Sequence, residues 1–242
     1  MTVTRHAPLL NCLFAVLAFS LPLRSLADPA PSALYHQLVK AAPALDEQVL
    51  GKALMATQCA VRHGVSEARR LAVIDYSLPS SEPRLWLFDL DEGRLVLRDR
   101  VAHGKNSGLA AATEFSNIEG SHQSSIGLFR ASESYRGRHG YSLRLDGLEP
   151  GINDQARQRA IVIHGADYVA QSWVEDYGRI GRSLGCPAVS QGMIREVVDN
   201  LKGGQLVFSY YPDAQWLAAS EFLNCDDAQV ADAGSRPASG DS

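Results

Sequence analysis

Two residues stand where nucleophilic chemistry is possible. The apolar run RAIVIHG, residues 159–165, ends in His164 and a glycine, and twenty-two residues later Cys186 sits in the turn GRSLGCPAVS, residues 181–190. A thiol attacks a carbonyl as the thiolate, and an imidazole within hydrogen-bonding reach can take its proton. A strand end and a glycine turn both hold a polar side chain at a surface on rigid structure. Gly185 lets the backbone approach a substrate carbonyl, and the amides of Leu184, Gly185 and Cys186 could form an oxyanion hole. Pro187 suits the first position of a short helical turn with Cys186 at its cap, where the positive helix end would lower the thiol pKa. By spacing alone, one histidine and one cysteine equally fit a structural cysteine and a buried histidine.

Three further histidines, His103, His122 and His139, lie in the polar loops HGKNSG, SHQSS and HGYS. No pair shows a ligand spacing and no second cysteine lies near Cys186, so no metal and no cofactor are expected.

Whether Cys186 is free depends on the compartment. The chain opens with Arg5, an apolar run from about Leu9 to Leu23, and Ser25-Leu26-Ala27. That is the pattern of a secretory signal peptide cleaved near Ala27-Asp28, and the run, broken by Pro22, is shorter than a spanning helix needs. The expected mature protein is periplasmic, without an integral membrane segment. Removing residues 1–27 takes away Arg5, Arg24 and Cys12 and moves the formal charge from −4 to −6, which argues against nucleic acid as a partner. Three cysteines remain, an odd number, so at least one is unpaired. Pairing Cys59 with Cys225 would tie the ends of the domain together and leave Cys186 free; the alternative is three reduced, buried thiols.

The elements that must position these residues can be read from periodicity. Residues 28–65 form an N-terminal helical segment packed on the core, with Pro43 between two helices. From Leu71 the pattern changes to strands at 71–77, 84–90, 94–104, 125–131, 141–147, 159–165 and 205–211. Asp91-Glu92-Gly93 makes a tight connection. Gln191 to Leu201 is a helix with Ser190 as N-cap, and residues 226–242 are expected to be disordered. The expected fold class is mainly β with accessory helices, α+β, built as an antiparallel sandwich or barrel over residues 66–225.

The strand-His-Gly of IVIHGA followed by the Ser-x-Gly-Cys of GRSLGCPAV resembles the L,D-transpeptidase catalytic domain of YkuD-type murein enzymes. The resemblance extends through IDYS, SEPRLWLFDL, VAHGKNSG, FSN, SHQSSIGLF and GRHGYSLRLDGLEPG, from about Leu71 to Tyr211. It implies a YkuD-like fold, Cys186 as nucleophile, His164 as general base, and Gly185, Ser183 and Leu184 as the oxyanion and substrate-positioning turn. It also implies that a backbone carbonyl orients the histidine, and that peptidoglycan stem peptides are donor and acceptor. In the commoner motif a second histidine stands at Leu184 and an arginine or asparagine at Ala188. Substrate contacts made there must then come from elsewhere, and His103, His122, His139, Arg138, Tyr141 and Arg182 are the candidates. The implied function is cross-linking or remodelling of the cell wall by an exported L,D-transpeptidase. The alternatives are an L,D-carboxypeptidase with water as acceptor and a non-catalytic peptidoglycan-binding module.

Overall fold

The computed structural model describes Met1 and residues 32–225, so the expected signal peptide beyond Met1 and the tail lie outside the described residues. Ser32 Oγ accepts from the Tyr35 amide and caps α1, Ala33–Ala41; Asp46 Oδ1 accepts from the amides of Gln48 and Val49 and caps α2, Glu47–Arg62. Val49, Leu50, Ala53, Leu54 and Ala60 recur at helical spacing and are buried.

Eight strands follow: β1 (Arg70–Asp75), β2 (Leu85–Asp89), β3 (Arg94–Asp99), β4 (Gly127–Gly137), β5 (Gly140–Gly147), β6 (Val162–Gly165), β7 (Ala188–Val189) and β8 (Gln205–Tyr210). Two helices interleave with them, α3 (Gln171–Tyr177) and α4 (Ile194–Leu201), and α5 (Ala214–Ala219) follows β8. The strands form one sheet in the order β3-β2-β1-β8-β4-β5-β6-β7. Ala102, just past β3, bridges to Ala188 in β7, so the two edges meet and the sheet nearly closes into a barrel.

The sheet is mixed. Five pairings are antiparallel, as the sequence suggests, but β1 runs parallel to β8 and β6 parallel to β7. Parallel neighbours require a crossover, and α3 supplies it between β6 and β7. The two-residue β7 is too short to leave a period-2 signature.

Both faces of the central strands are covered. Leu71, Val73, Trp86, Phe88, Leu206 and Phe208 pack with α2 residues and Trp216 of α5, while Ala72, Ile74, Leu85, Leu87 and Val207 point the other way, onto α4 through Val197, Val198 and Leu201. The alternation is the pleat itself, and each large apolar side chain so buried contributes about 1.5–3 kcal/mol. Cys59 in α2 and Cys225 after α5 are joined by a disulfide, with their Cα atoms 6.0 Å apart.

One expected boundary moves. The last long helix begins at Ile194, with Met193 at its cap and no side-chain capping bond. Ser190 instead donates from both Oγ (2.7 Å) and its amide (3.1 Å) to Asp99 Oδ2, tying the end of β7 to the end of β3. A carboxylate across the barrel seam satisfies that hydroxyl before a helix start can.

Candidate active site

His164 lies on β6, one position before that strand's last residue, and is buried. Its Nδ1 lies 3.0 Å from the Gly165 carbonyl, so Nδ1 carries the proton and Nε2 is left as the acceptor. Burial, above all, holds its pKa below the ordinary histidine range, and the nearby His139 adds to the effect. His139, in the turn between β4 and β5, stacks on it with ring centroids 4.5 Å apart and planes 30° apart. The two rings, with Arg138, Asp167, Tyr168 and Gln191, line a cleft of about 420 Å³.

Parallel pairing of β6 with β7 sets His164 opposite Ala188. Cys186 therefore stands two residues before the partner of the histidine. Among the described residues it is the free cysteine. In this structure Sγ contacts the Ala160 carbonyl at 3.7 Å rather than His164. Burial pushes the thiol above its ordinary pKa, against the opposing pull of the Val162 amide and the Arg159 guanidinium. The expected helical turn at Pro187 is absent, because Pro187 leads into β7 and its carbonyl accepts from the His164 amide at 3.3 Å. Without a helical turn at Pro187, the lowering of the thiol pKa expected on that ground does not arise.

The turn before Cys186 is held from inside. Ser183 Oγ donates to the Cys186 carbonyl at 2.6 Å and accepts from the Gly185 amide at 3.0 Å. The Gly185 amide is thus spent within the turn, whereas the amides of Leu184 and Cys186 have no acceptor among the described residues. Gly185 takes φ +124, and a Cβ there would lie 2.9 Å from the Gln123 carbonyl, so the position demands glycine. Leu184, 63% exposed, projects outward from the turn.

The polar loops noted in the sequence are the clamp around this turn. Ser124 Oγ donates to the Gly185 carbonyl and accepts from the Gly104 amide, each at 3.0 Å, and the Ser183 amide donates to the His103 carbonyl at 2.9 Å. A Cβ on Gly104 would sit 2.3 Å from the His122 carbonyl and 3.0 Å from Gly185 Cα. His122 bends the chain at φ +55, and its side chain makes no hydrogen bond among the described residues. Arg182 Nη1 donates to the carbonyls of Lys105 (2.8 Å) and Gly108 (2.9 Å), so this arginine fastens the loop. Tyr141 points elsewhere: its hydroxyl donates to Asp199 of α4 at 2.8 Å. Neighbouring strand residues face opposite sides, and Tyr141, one position before Ser142, the partner of His164, is turned away from the histidine.

His103 is buried scaffolding. Its Nδ1 accepts from Arg84 at 2.7 Å and its Nε2 contacts the Gly108 carbonyl at 3.3 Å, while Arg84, itself fully buried, also donates to the carbonyls of Val101 and Leu78. Burial and the Arg84 charge push His103 down to about 4. Its folded pKa lies below the unfolded value, so between about pH 6.5 and 4 the unfolded chain binds a proton that the folded chain refuses. The contribution to stability is complete above that window and is lost as pH falls through it, on the order of 3 kcal/mol. Urea melts across this range are expected to lose stability more steeply for the natural protein than for His103→Gln, and parallel curves would refute the assignment.

Arg159 is the residue that sequence reasoning missed. It is half-buried and donates to the carbonyls of Ser116 and Gln123 and to the hydroxyls of Ser121 and Ser125, and its cationic charge acts on the thiol. Gln123 is the residue whose carbonyl packs on Gly185. The only sequence signal was an arginine entering an apolar strand. With Arg159→Gln the thiol pKa rises further, so the pH profile of iodoacetamide labelling at Cys186 should move to higher pH. At pH 8 labelling should slow roughly three- to tenfold with the fold retained by circular dichroism.

No group among the described residues around Cys186 or His164 gathers metal ligands; the one set of three close enough, Cys59, His63 and Cys225, contains the disulfide.

No curated protein matches the chain. Solved structures align at low identity: an L,D-transpeptidase from Mycobacterium smegmatis (14% identity, 60% of this chain and 59% of that one, TM-score 0.37), one from Xylanimonas cellulosilytica DSM 15894 (20%, 72% and 77%, 0.35), and L,D-transpeptidase 3 from Mycobacterium tuberculosis in complex with a faropenem-derived adduct (11%, 59% and 60%, 0.39). The chain thus spans about three-fifths of the Mycobacterium smegmatis protein. The family model for the L,D-transpeptidase catalytic domain matches residues 41–210, beginning at the last residue of α1 and so including α2 with the sheet. With that match running through both His164 and Cys186, the chain belongs to the L,D-transpeptidase catalytic-domain family.

Proposed function

We propose that the protein is an exported, periplasmic, cysteine-dependent L,D-transpeptidase acting on peptidoglycan stem peptides, with no cofactor. The observation that carries this reading is the pairing of β6 with β7. It sets a histidine with Nδ1 bound to a backbone carbonyl beside a turn that carries a free thiol and two amides without acceptors. The thiol leaves the Ala160 carbonyl, turns toward Nε2 and gives up its proton. Sγ then bonds to the carbonyl carbon of the third stem residue, and the amides of Leu184 and Cys186 hold the oxyanion. The C–N bond to the terminal D-amino acid breaks, with the imidazolium returning its proton to the leaving amine. An amine of a second stem attacks the thioester, giving its proton to the now neutral His164; the new C–N bond forms, the C–S bond breaks, and the imidazolium returns that proton to the departing thiolate.

Water in place of that amine makes the protein a carboxypeptidase. A non-catalytic wall-binding role draws on one observation, the contact of Sγ with Ala160 instead of His164. Incubation with disaccharide-tetrapeptide, followed by intact mass and muropeptide separation, decides among the three. Adduct plus cross-linked dimer is the expected result; tripeptide without dimer identifies the carboxypeptidase, and neither adduct nor product identifies the binding module.

A further inference from the structure

We infer that a second cleft, lined by Lys105, Tyr168, Trp173, Arg179, Gly181 and Arg182, is a subsite for the free carboxylate of an acidic peptide. The inference deepens the reading above, on which that peptide is a stem of the wall.

The cleft, of about 250 Å³, gathers three cations, and none of them forms an ion pair among the described residues. In a chain with 27 acidic and 23 basic residues, a trio of cations left without acidic partners is an unspent binding capacity. Arg179 donates only to the carbonyl of its neighbour Ile180, at 3.0 Å. Arg182 is pinned through Nη1 to two carbonyls, which orients its guanidinium while the rest of its fork stays available. Such a fork matches a carboxylate in two parallel bonds, and Lys105 adds a point charge.

Tyr168 and Trp173 stand nearly perpendicular, at 75° with centroids 6.4 Å apart, and give the cleft an apolar wall for the aliphatic part of the same ligand. A long polyanion is a poor fit to so small a cleft on an acidic protein. Position ties the cleft to the thiol. A Cβ on Gly181 would lie 2.5 Å from Tyr168 Cβ, so the segment leading to Cys186 is pressed against that side chain. Tyr168 also lines the cleft beside His164, so the two clefts share that side chain.

Of the three tryptophans, Trp86 and Trp216 are 0% and 1% exposed, so ligand-induced changes in emission report Trp173. The test is titration of the Cys186→Ala protein with a synthetic stem tetrapeptide whose carboxylates are free, and with the same peptide carrying carboxamides. The free acid should bind about tenfold more tightly. Lys105→Gln and Arg179→Gln should each weaken the free acid roughly three- to tenfold and leave the carboxamide unchanged. Equal binding of the two peptides, no binding of either, or an unchanged affinity in both variants overturns the subsite. Because the titrated protein has no thiol, the result is independent of turnover. A natural protein that forms no adduct, beside a subsite that binds as described, sinks the enzymatic reading and leaves the subsite standing.

Discussion

Cys186→Ala, matched to the natural protein in melting temperature, should form no adduct with a stem tetrapeptide and should lose at least about 10⁴-fold in the rate at which D-alanine, the terminal residue of that probe, is released. The size follows from the role. A nucleophile that forms the covalent intermediate has no substitute, and amides of the turn left in place give back only a small part of the rate. The side chain is partly exposed and packs only at the margin of one core cluster, so its removal leaves the fold intact. His164→Gln should lower the same rate by about 10²- to 10⁴-fold, the usual worth of a positioned base. The pH profile separates the two. The thiol is raised and the imidazole lowered, so both are neutral at neutral pH and no ion pair is stored in the resting site. The rate of the natural protein should rise with pH as the thiolate forms, and His164→Gln should depend on pH still more steeply because hydroxide must replace the base. A Cys186→Ala protein that still releases D-alanine at the natural rate would end the cysteine mechanism.

The second large effect concerns stability. Cys59 and Cys225 are 166 residues apart, and their bond closes almost the whole described domain into one loop. Constraining so long a loop in the unfolded chain is worth about 2–5 kcal/mol. In a domain of this size each kcal/mol moves the melting temperature by about 2–4 °C, so Cys59→Ser with Cys225→Ser should melt about 5–15 °C lower. Both cysteines lie with the helices on one face of the sheet, α2 and the segment after α5, and neither touches the nucleophile turn. The double variant should therefore label at Cys186 at an unchanged rate well below its melting point. An unchanged melting temperature would mean that the packing of Leu223 and Phe222 against the core already holds the C-terminal segment.

How much of this was legible in the sequence differs from element to element. The two capped helices and seven of the eight strands announced themselves because their apolar residues repeat with the period of the element that buries them. The eighth strand, β7, has two residues and no period, and it is the one that aligns Cys186 with His164. The helix expected from Ser190 failed at its start because Asp99, ninety-one residues earlier, takes the hydroxyl. Tyr141 was a candidate for the substrate contacts missing at Leu184 and Ala188, yet the pleat turns it to Asp199. Arg84 and Arg159 gave almost no signal, since the value of a buried guanidinium lies in carbonyls contributed by distant loops.

The sequence by itself therefore determined the chemistry available: a cysteine in a glycine turn, a histidine at a strand end, a serine two residues before the glycine of that turn, and the family they belong to. Those are properties of residue type and local spacing, which a string preserves. The tertiary structure decided the rest. It left the thiol neutral by burial instead of activating it at a helix end, assigned the imidazole its free nitrogen through Gly165, and made the HGKNSG and SHQSS loops a clamp around the nucleophile turn. Protonation and contact depend on which groups lie within a few ångströms, and that distance is fixed by strand pairing between residues far apart in the chain.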